Sequence, residues 1–359
     1  MSRITTFFSI LLLINAITGC TTRLPETALS DTVPTILAAA NRAGIYDSRA
    51  RFREVLCAVN AKHGVALPDF RPCEEILTKV SHEPAGTGVN IDLGQSQTGL
   101  TAVFVPGVGW DCFDEWLEID EHFAEHINEY NFNLKIMNIE GLSSSQRNAK
   151  LVRDGLLEII KSSSQEKIVL IGYSKGIVDI LEAIVRYPEL HEHISAVVSI
   201  AGAVGGSPLA IDADKDYLKL LTKWPGANCT EGDSGVIDSL NPKIRQSWLY
   251  SNILPDSFPY FSLATLPEKK QISLALKPSY NRLSQLDSRN DGQLLYFDQL
   301  LPGSHLLGYL NADHWAVMVP IARSHEFLGA TVTNKNSFPR EVLIEAVLRM
   351  ISETLDEKP

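Results

Sequence analysis

The stretch KIVLIGYSKGIVDILEAIVRYPEL, from Lys167 to Leu190, joins a continuous apolar run to a helical pattern. The run ends in a Gly-x-Ser-x-Gly sequence centred on Ser174, after which apolar residues recur at helical spacing. In such a turn the flanking glycines, here Gly172 and Gly176, let the strand and the helix approach each other around a strained serine. The pattern predicts Ser174 as a nucleophile at a strand end; the alternative is an ordinary strand-to-helix turn.

Apolar runs of this kind alternate with helical patterns through most of the chain. Continuous rather than alternating apolar strands indicate burial on both faces, which is typical of a parallel sheet covered by helices. Right-handed crossovers then give a doubly wound α/β domain, whose last helix is expected over Arg340–Leu355. The predicted strands are Thr101–Gly107, Leu134–Ile139, Lys167–Gly172, Ile194–Gly202, Tyr260–Thr265 and His305–Leu310.

The rest of the chain consists of a segment before the α/β pattern and of two segments inserted into it. Residues 45–88 read as an N-terminal helical hairpin, and 89–355 as the α/β domain. Two long irregular stretches, at about 207–259 and 266–289, interrupt the alternation. Their aromatic content predicts an ordered cap inserted into the domain; the aromatic residues that suggest an apolar binding region there are Trp224, Trp248, Tyr250, Phe258 and Tyr260.

The first residues, MSRITTFFSILLLINAITGC, have the features of an export signal: a basic start, an apolar core and small residues before Cys20. Ile17-Thr18-Gly19-Cys20 resembles the lipobox of bacterial lipoproteins, which predicts removal of residues 1–19, lipidation of Cys20 and a tether over 20–44. Thr21 follows, so the resemblance implies an outer-membrane protein of the bacterial envelope. The alternative is a plain secretory signal with an incidental cysteine.

The remaining cysteines fit export to an oxidising compartment. Cys57, Cys73, Cys112 and Cys229 are an even set, which predicts two disulfides. A local bridge between Cys57 and Cys73 is favoured, leaving Cys112 to pair with Cys229; buried free thiols are the alternative. The net charge of −11, without a dense basic block, argues against nucleic acid as a partner.

A serine nucleophile needs a base, and the base needs an acid to orient it. On this kind of fold the two follow the serine in the order acid, then histidine. Asp291, in the turn Asn290-Asp291-Gly292, and His314, after the last predicted strand, meet that order. Less favoured acids are Asp287, Asp298 and Asp313, and less favoured histidines are His305 and His325.

Two backbone N–H groups should hold the oxyanion of a tetrahedral intermediate. Lys175 follows the serine, and Val108 lies in the glycine-containing loop after the first long strand, so these two amides are predicted. Trp110, Tyr173 and Trp315 flank the predicted site and are candidates to line it.

Other motifs are interpreted as incidental. Ser234 lies in a protease-like Gly-Asp-Ser-Gly sequence, but those proteases are all-β, and Ser164 of a Ser-x-x-Lys match ends a helix rather than opening one. The pairs His122/His126 and His191/His193 lack further ligands at a recognisable spacing, so neither a metal nor a cofactor is predicted.

From about Thr101 to Leu355 the chain resembles the α/β-hydrolase superfamily, most closely bacterial lipase-like members. The resemblance lies in VPGVG, GYSKG, SIAGAVGGSPLA, YFSLAT, NDG and ADHW, with Ala203 and Val204 where those lipases usually have Pro-His. It implies a serine ester hydrolase acting on a small-molecule or lipid ester through an acyl-enzyme. Thioester, amide or phospholipid cleavage on the same residues, or a non-catalytic envelope-binding protein on this fold, remain as alternatives.

Overall fold

Seven parallel strands form the sheet in the part of the chain described by the computed structural model, which covers residues 44–80, 82–113, 121–162, 167–213, 227–229 and 232–356. The strand order is β1-β7-β6-β5-β4-β2-β3, and every neighbouring pair is parallel. The strands are β1 Tyr46–Asp47, β2 Leu100–Val105, β3 Asn133–Ile136, β4 Lys167–Tyr173, β5 Ile194–Ile200, β6 Tyr260–Thr265 and β7 His305–Leu310.

Helices cover both faces of this sheet. The described helices are α1 Arg49–Lys62, α2 Cys73–Ile76, α3 Glu121–Glu129, α4 Ser145–Ser162, α5 Lys175–Arg186, α6 Val236–Leu240, α7 Pro242–Ser251, α8 Lys277–Leu283, α9 Ile321–Ser324, α10 Glu326–Ala330 and α11 Arg340–Asp356. Helices α1, α3 and α11 pack on one face, against side chains such as Phe104. Helices α4, α5 and α7 pack on the other, against Val103 and Val105. Successive residues of β2 therefore enter opposite cores, as a strand buried on both sides requires.

The predicted doubly wound α/β fold is confirmed. Each of the six predicted strands is present; the last two have the predicted bounds, and the others end within about three residues of them. Strand β3, at the edge, is partly exposed rather than buried. The two-residue β1, which pairs with β7 at Tyr46 and His305, was not predicted. A segment this short has no recognisable hydrophobic periodicity.

The N-terminal segment is built into the domain. Helix α1 packs on β7 and α11 with Phe52, Val55, Leu56 and Val59 buried, as its spacing predicts. The second limb of the predicted hairpin is short: α2 has four residues, and the chain then runs extended past the C-terminal ends of β6 and β7, where Leu77 bridges to Leu310. A disulfide between Cys57 and Cys73 joins the two helices.

The two inserted stretches meet each other at the surface. The short helical turn Pro208–Ile211 of the first packs against α8 of the second, and Asp212 pairs with Arg282. A second disulfide joins Cys112, in the loop after β2, to Cys229 of the first insertion. Both favoured disulfide pairings are thus present, whereas Cys20 and Trp224 lie outside the described residues. Within the described ranges, no helix has the length and apolar character needed to cross a bilayer.

Candidate active site

Ser174 lies at the turn between β4 and α5 in a strained conformation, with φ 55° and ψ −122°. The turn is possible because both flanking positions are glycine. A Cβ on Gly172 would lie 2.4 Å from Cα of Ile177, and one on Gly176 would lie 1.9 Å from the carbonyl oxygen of Val105. Any side chain at either position would therefore push the strand and the helix apart. This tight turn places the Ser174 hydroxyl at the C-terminal edge of the sheet.

His314 and Asp291 complete a continuous hydrogen-bonded relay with this serine. The Nε2 atom of His314 lies 2.9 Å from Oγ of Ser174, and its Nδ1 lies 2.8 Å from Oδ2 of Asp291. The side chain of Asp291 is completely buried, and those of the other two are almost so. The loops after β6 and β7 reach the same sheet edge as the nucleophile turn, which brings the three predicted residues together.

The Asp291 carboxylate is held by donors on both oxygens. Oδ1 accepts from the amides of Gln293 (2.8 Å) and Leu294 (2.7 Å). Oδ2, the oxygen that faces the histidine, also accepts from the Thr265 hydroxyl and more weakly from Nε2 of Gln299 at 3.4 Å. These donors fix the orientation of the carboxylate towards His314. Thr265 and Gln299 were not predicted; the only signal was that Thr265 closes a buried strand with a polar residue.

Tyr173 supports the histidine from the core side. Its hydroxyl donates to the carbonyl oxygen of His314 at 2.8 Å, and its ring stacks on the imidazole with centroids 5.4 Å apart. Burial, with the nearby carboxylates of Asp291 and Asp313, holds the pKa of Tyr173 well above its usual value, so the phenol stays a neutral donor.

This placement changes the predicted lining of the site. Tyr173 and Trp110 are both buried and pack edge to face in the core beside Phe104, so they support the site rather than form its wall. Trp315, in contrast, is only partly buried next to His314. It packs against an apolar cluster of the second insertion, formed by Ile272, Leu276 and Tyr280. Trp315 therefore remains a candidate wall residue.

The two predicted oxyanion donors belong to the segments next to Ser174. Lys175 is the first residue of α5, so its amide is one of the N-terminal donors that a helix cannot pair internally. Gly107 passes so close to the nucleophile that a Cβ there would lie 2.8 Å from Cβ of Ser174, which brings the next residue, Val108, to the site. Gly109, with φ 69°, turns the loop away. Lys175 thus directly follows the serine, and Val108 directly follows a residue packed against it.

The Lys175 side chain points away from this chemistry. Its Nζ pairs with both carboxylate oxygens of Asp179, at 2.7 and 2.8 Å, and both side chains are completely buried. Asn148 of α4 donates to the same carboxylate at 2.8 Å. The lysine charge is therefore balanced within α5, and the Asn148 amide joins α4 to the same carboxylate.

The less favoured candidates have other partners. Asp287 pairs with Arg289, and Asp313 accepts from the amides of Ser273 and Ala316. Burial raises the pKa of Asp298 to about 7 beside Gly205. His305 contacts Ser48 where β1 meets β7, and His325 precedes α10. Ser234 lies in a turn with φ 54°, and Ser164 is outside the described residues.

Comparison with solved structures finds close similarity. A metagenomic carboxyl esterase, MGS0156, shares 35% identity over 90% of this chain and 97% of its own, with a TM-score of 0.81. The mature lipase BlEst2 of Bacillus licheniformis shares 20% identity over 68% of this chain and 95% of its own, with a TM-score of 0.50, which bears on the fold alone. No family model and no curated protein matches the sequence.

Proposed function

Because the chain belongs to the α/β-hydrolase superfamily, we propose that it is a serine hydrolase of carboxylic esters with Ser174 as its nucleophile. The observation that carries the proposal is the relay of 2.9 and 2.8 Å from Ser174 through His314 to Asp291. The 35% identity with a carboxyl esterase over nearly the whole chain supports the same reaction class.

The proposed reaction has two halves. Ser174 Oγ attacks the ester carbonyl while Nε2 of His314 takes its proton, and Asp291 stabilises the imidazolium that forms. The amides of Val108 and Lys175 bind the oxyanion of the tetrahedral intermediate. His314 then protonates the departing alcohol and leaves an acyl-enzyme. A water molecule, deprotonated by His314, then attacks the acyl group; the bond to Ser174 Oγ breaks, His314 returns the proton to Oγ, and the carboxylic acid is released.

The apolar surroundings favour an apolar acyl or aryl group in the substrate. Trp315 follows the proposed base and is backed by Ile272, Leu276 and Tyr280 of the second insertion. Burial of apolar substrate surface at such a wall contributes about 25 cal/mol per Å². We therefore expect p-nitrophenyl esters of increasing acyl length to be cleaved with kcat/KM that rises over the first few carbons.

A fluorophosphonate probe tests the nucleophile directly. Wild type should be labelled and Ser174→Ala should not. Ser234→Gly, a matched change at the other motif serine whose φ of 54° suits glycine, should label like wild type. Labelling that survives Ser174→Ala would refute Ser174 as the nucleophile. If wild type is not labelled and cleaves no ester of the panel, the proposed hydrolase activity is refuted.

We also propose that the protein is anchored to the bacterial envelope through a lipid on Cys20. Support comes from the lipobox-like end of the first twenty residues and from two disulfides, which persist in oxidising compartments. The wild-type protein should fractionate with membranes, and Cys20→Ser should release it. Unchanged membrane retention of the variant would contradict the anchor.

A further inference from the structure

A second cluster of reactive side chains, sharing no residue with the proposed active site, lies where α1, α3 and α11 meet. Nδ1 of His63 and Nε2 of His126 lie 2.9 and 2.8 Å from the same carboxylate oxygen, Oε2 of Glu345. The Glu345 side chain is completely buried, and the two histidines are 9% and 8% exposed. All three atoms lie within 4.8 Å of one another.

The outer partners of these side chains fix their orientation. Nε of Arg349 donates to the other carboxylate oxygen, Oε1, at 2.7 Å, which leaves Oε2 to the histidines. The guanidinium is itself held by the carbonyl oxygens of residues 92–94. The Tyr130 hydroxyl lies 3.0 Å from Nε2 of His63, and the two rings stack. Ligating carboxylates and histidines usually have such partners on their outward atoms.

We propose that His63, His126 and Glu345 form a binding site for a divalent cation of the zinc class. Two imidazole nitrogens and one carboxylate oxygen are a donor set that Zn²⁺ uses, with a water as the remaining ligand. Ligand atoms about 2.8–2.9 Å apart need only small movements to surround an ion with bonds of about 2.0–2.1 Å.

To bind a cation, the ring nitrogens that face Glu345 must carry no proton. Each ring would then carry its proton on the opposite nitrogen, which in His63 lies 3.0 Å from the Tyr130 hydroxyl oxygen. Because Arg349 already balances the charge of Glu345, we expect weaker binding than at a site with two carboxylates. The bound ion would tie α1 to α3 and α11.

Two substitutions separate cation binding from folding. His63→Asn and His126→Gln each keep an amide N–H near the position of the ring nitrogen that faces Glu345, but remove the imidazole ligand. The full chain, produced without a histidine tag and stripped with EDTA, is dialysed against micromolar ZnSO₄ and its zinc is measured by mass spectrometry. His193→Gln, which disrupts the surface pair with His191, is the control for adventitious binding.

Wild type and His193→Gln should each retain one zinc per chain, and the double variant His63→Asn/His126→Gln should retain none. The melting temperature of wild type should rise with the logarithm of the zinc concentration, whereas that of the double variant should not. Wild type that retains no zinc at saturating concentration would overturn the proposal. Equal zinc retention by wild type and the double variant would overturn it as well.

Discussion

Replacement of Lys175 by methionine should destabilise the protein strongly without impairing its chemistry. Both members of the Lys175–Asp179 pair are completely buried, with contacts of 2.7 and 2.8 Å. The variant leaves the Asp179 carboxylate with only the Asn148 amide as a described side-chain partner. Removal of one member of a buried pair costs about 3–5 kcal/mol, because the other charge stays uncompensated.

The activity of the folded fraction should change little. The proposed oxyanion donor is the backbone amide of Lys175, which methionine also has, so kcat/KM per labelled active site should stay within about threefold of wild type. The melting temperature, at about 1.3 °C per kcal/mol for a chain of this size, should fall by about 4–7 °C. Urea unfolding monitored by fluorescence gives the free energy, and fluorophosphonate titration counts the active sites.

A double substitution provides the matched control. Lys175→Met/Asp179→Leu removes both charges and keeps the apolar volume, so most of the lost stability should return. A single variant that unfolds like wild type would refute the account of the pair. A well-folded single variant with kcat/KM reduced about a hundredfold or more would instead give the Lys175 ammonium a direct role in the reaction.

Three other substitutions test the surroundings of the site. Thr265→Val removes a hydroxyl that donates to Asp291 Oδ2, so kcat should fall about tenfold or more with KM little changed; an unaltered kcat would contradict this. Burial raises the pKa of Asp298 from its ordinary value near 4 to about 7, so between these pH values the native state holds a proton that the unfolded chain has lost, and wild type loses stability as the pH rises through this range. Asp298→Asn should therefore be more stable than wild type at pH 8, by up to about 4 kcal/mol, and gain little at pH 4 in urea unfolding. Cys112→Ser/Cys229→Ser opens a loop of 117 residues and should lower the free energy of unfolding, measured in urea without reductant, by about 4 kcal/mol.

The sequence is sufficient to predict those elements whose local residue pattern is compatible with only one kind of structure. Buried parallel strands such as β4 are continuous apolar runs, and Gly172 and Gly176 stand where a Cβ would meet backbone atoms of other elements. The order of nucleophile, acid and histidine then follows from the topology, which brings successive strand ends to one edge. Local signals and a topological rule were sufficient for these features.

The supporting contacts could not be predicted in the same way. In the sequence, Tyr173 is only the last residue of an apolar strand. The packed structure shows that its hydroxyl donates to the carbonyl oxygen of His314. Thr265 and Gln299 meet Asp291 from different segments, at separations with no periodic or motif signal. Lys175 adjoins the nucleophile in sequence, yet its charge is matched one helical turn away by Asp179.

The cluster around Glu345 is a whole candidate site that could not be predicted from the sequence. His126 has a histidine four residues before it, and that local pair carries no acidic partner at a metal-binding spacing. The ligand atoms that converge on Glu345 come instead from the end of α1, from α3 and from α11, with 219 residues between His126 and Glu345 and 282 between His63 and Glu345. Only the packing of these three helices on one face of the sheet brings the atoms together. A zinc requirement for the stability of this face would therefore depend on the N-terminal segment, which lies outside the motifs that define the hydrolase.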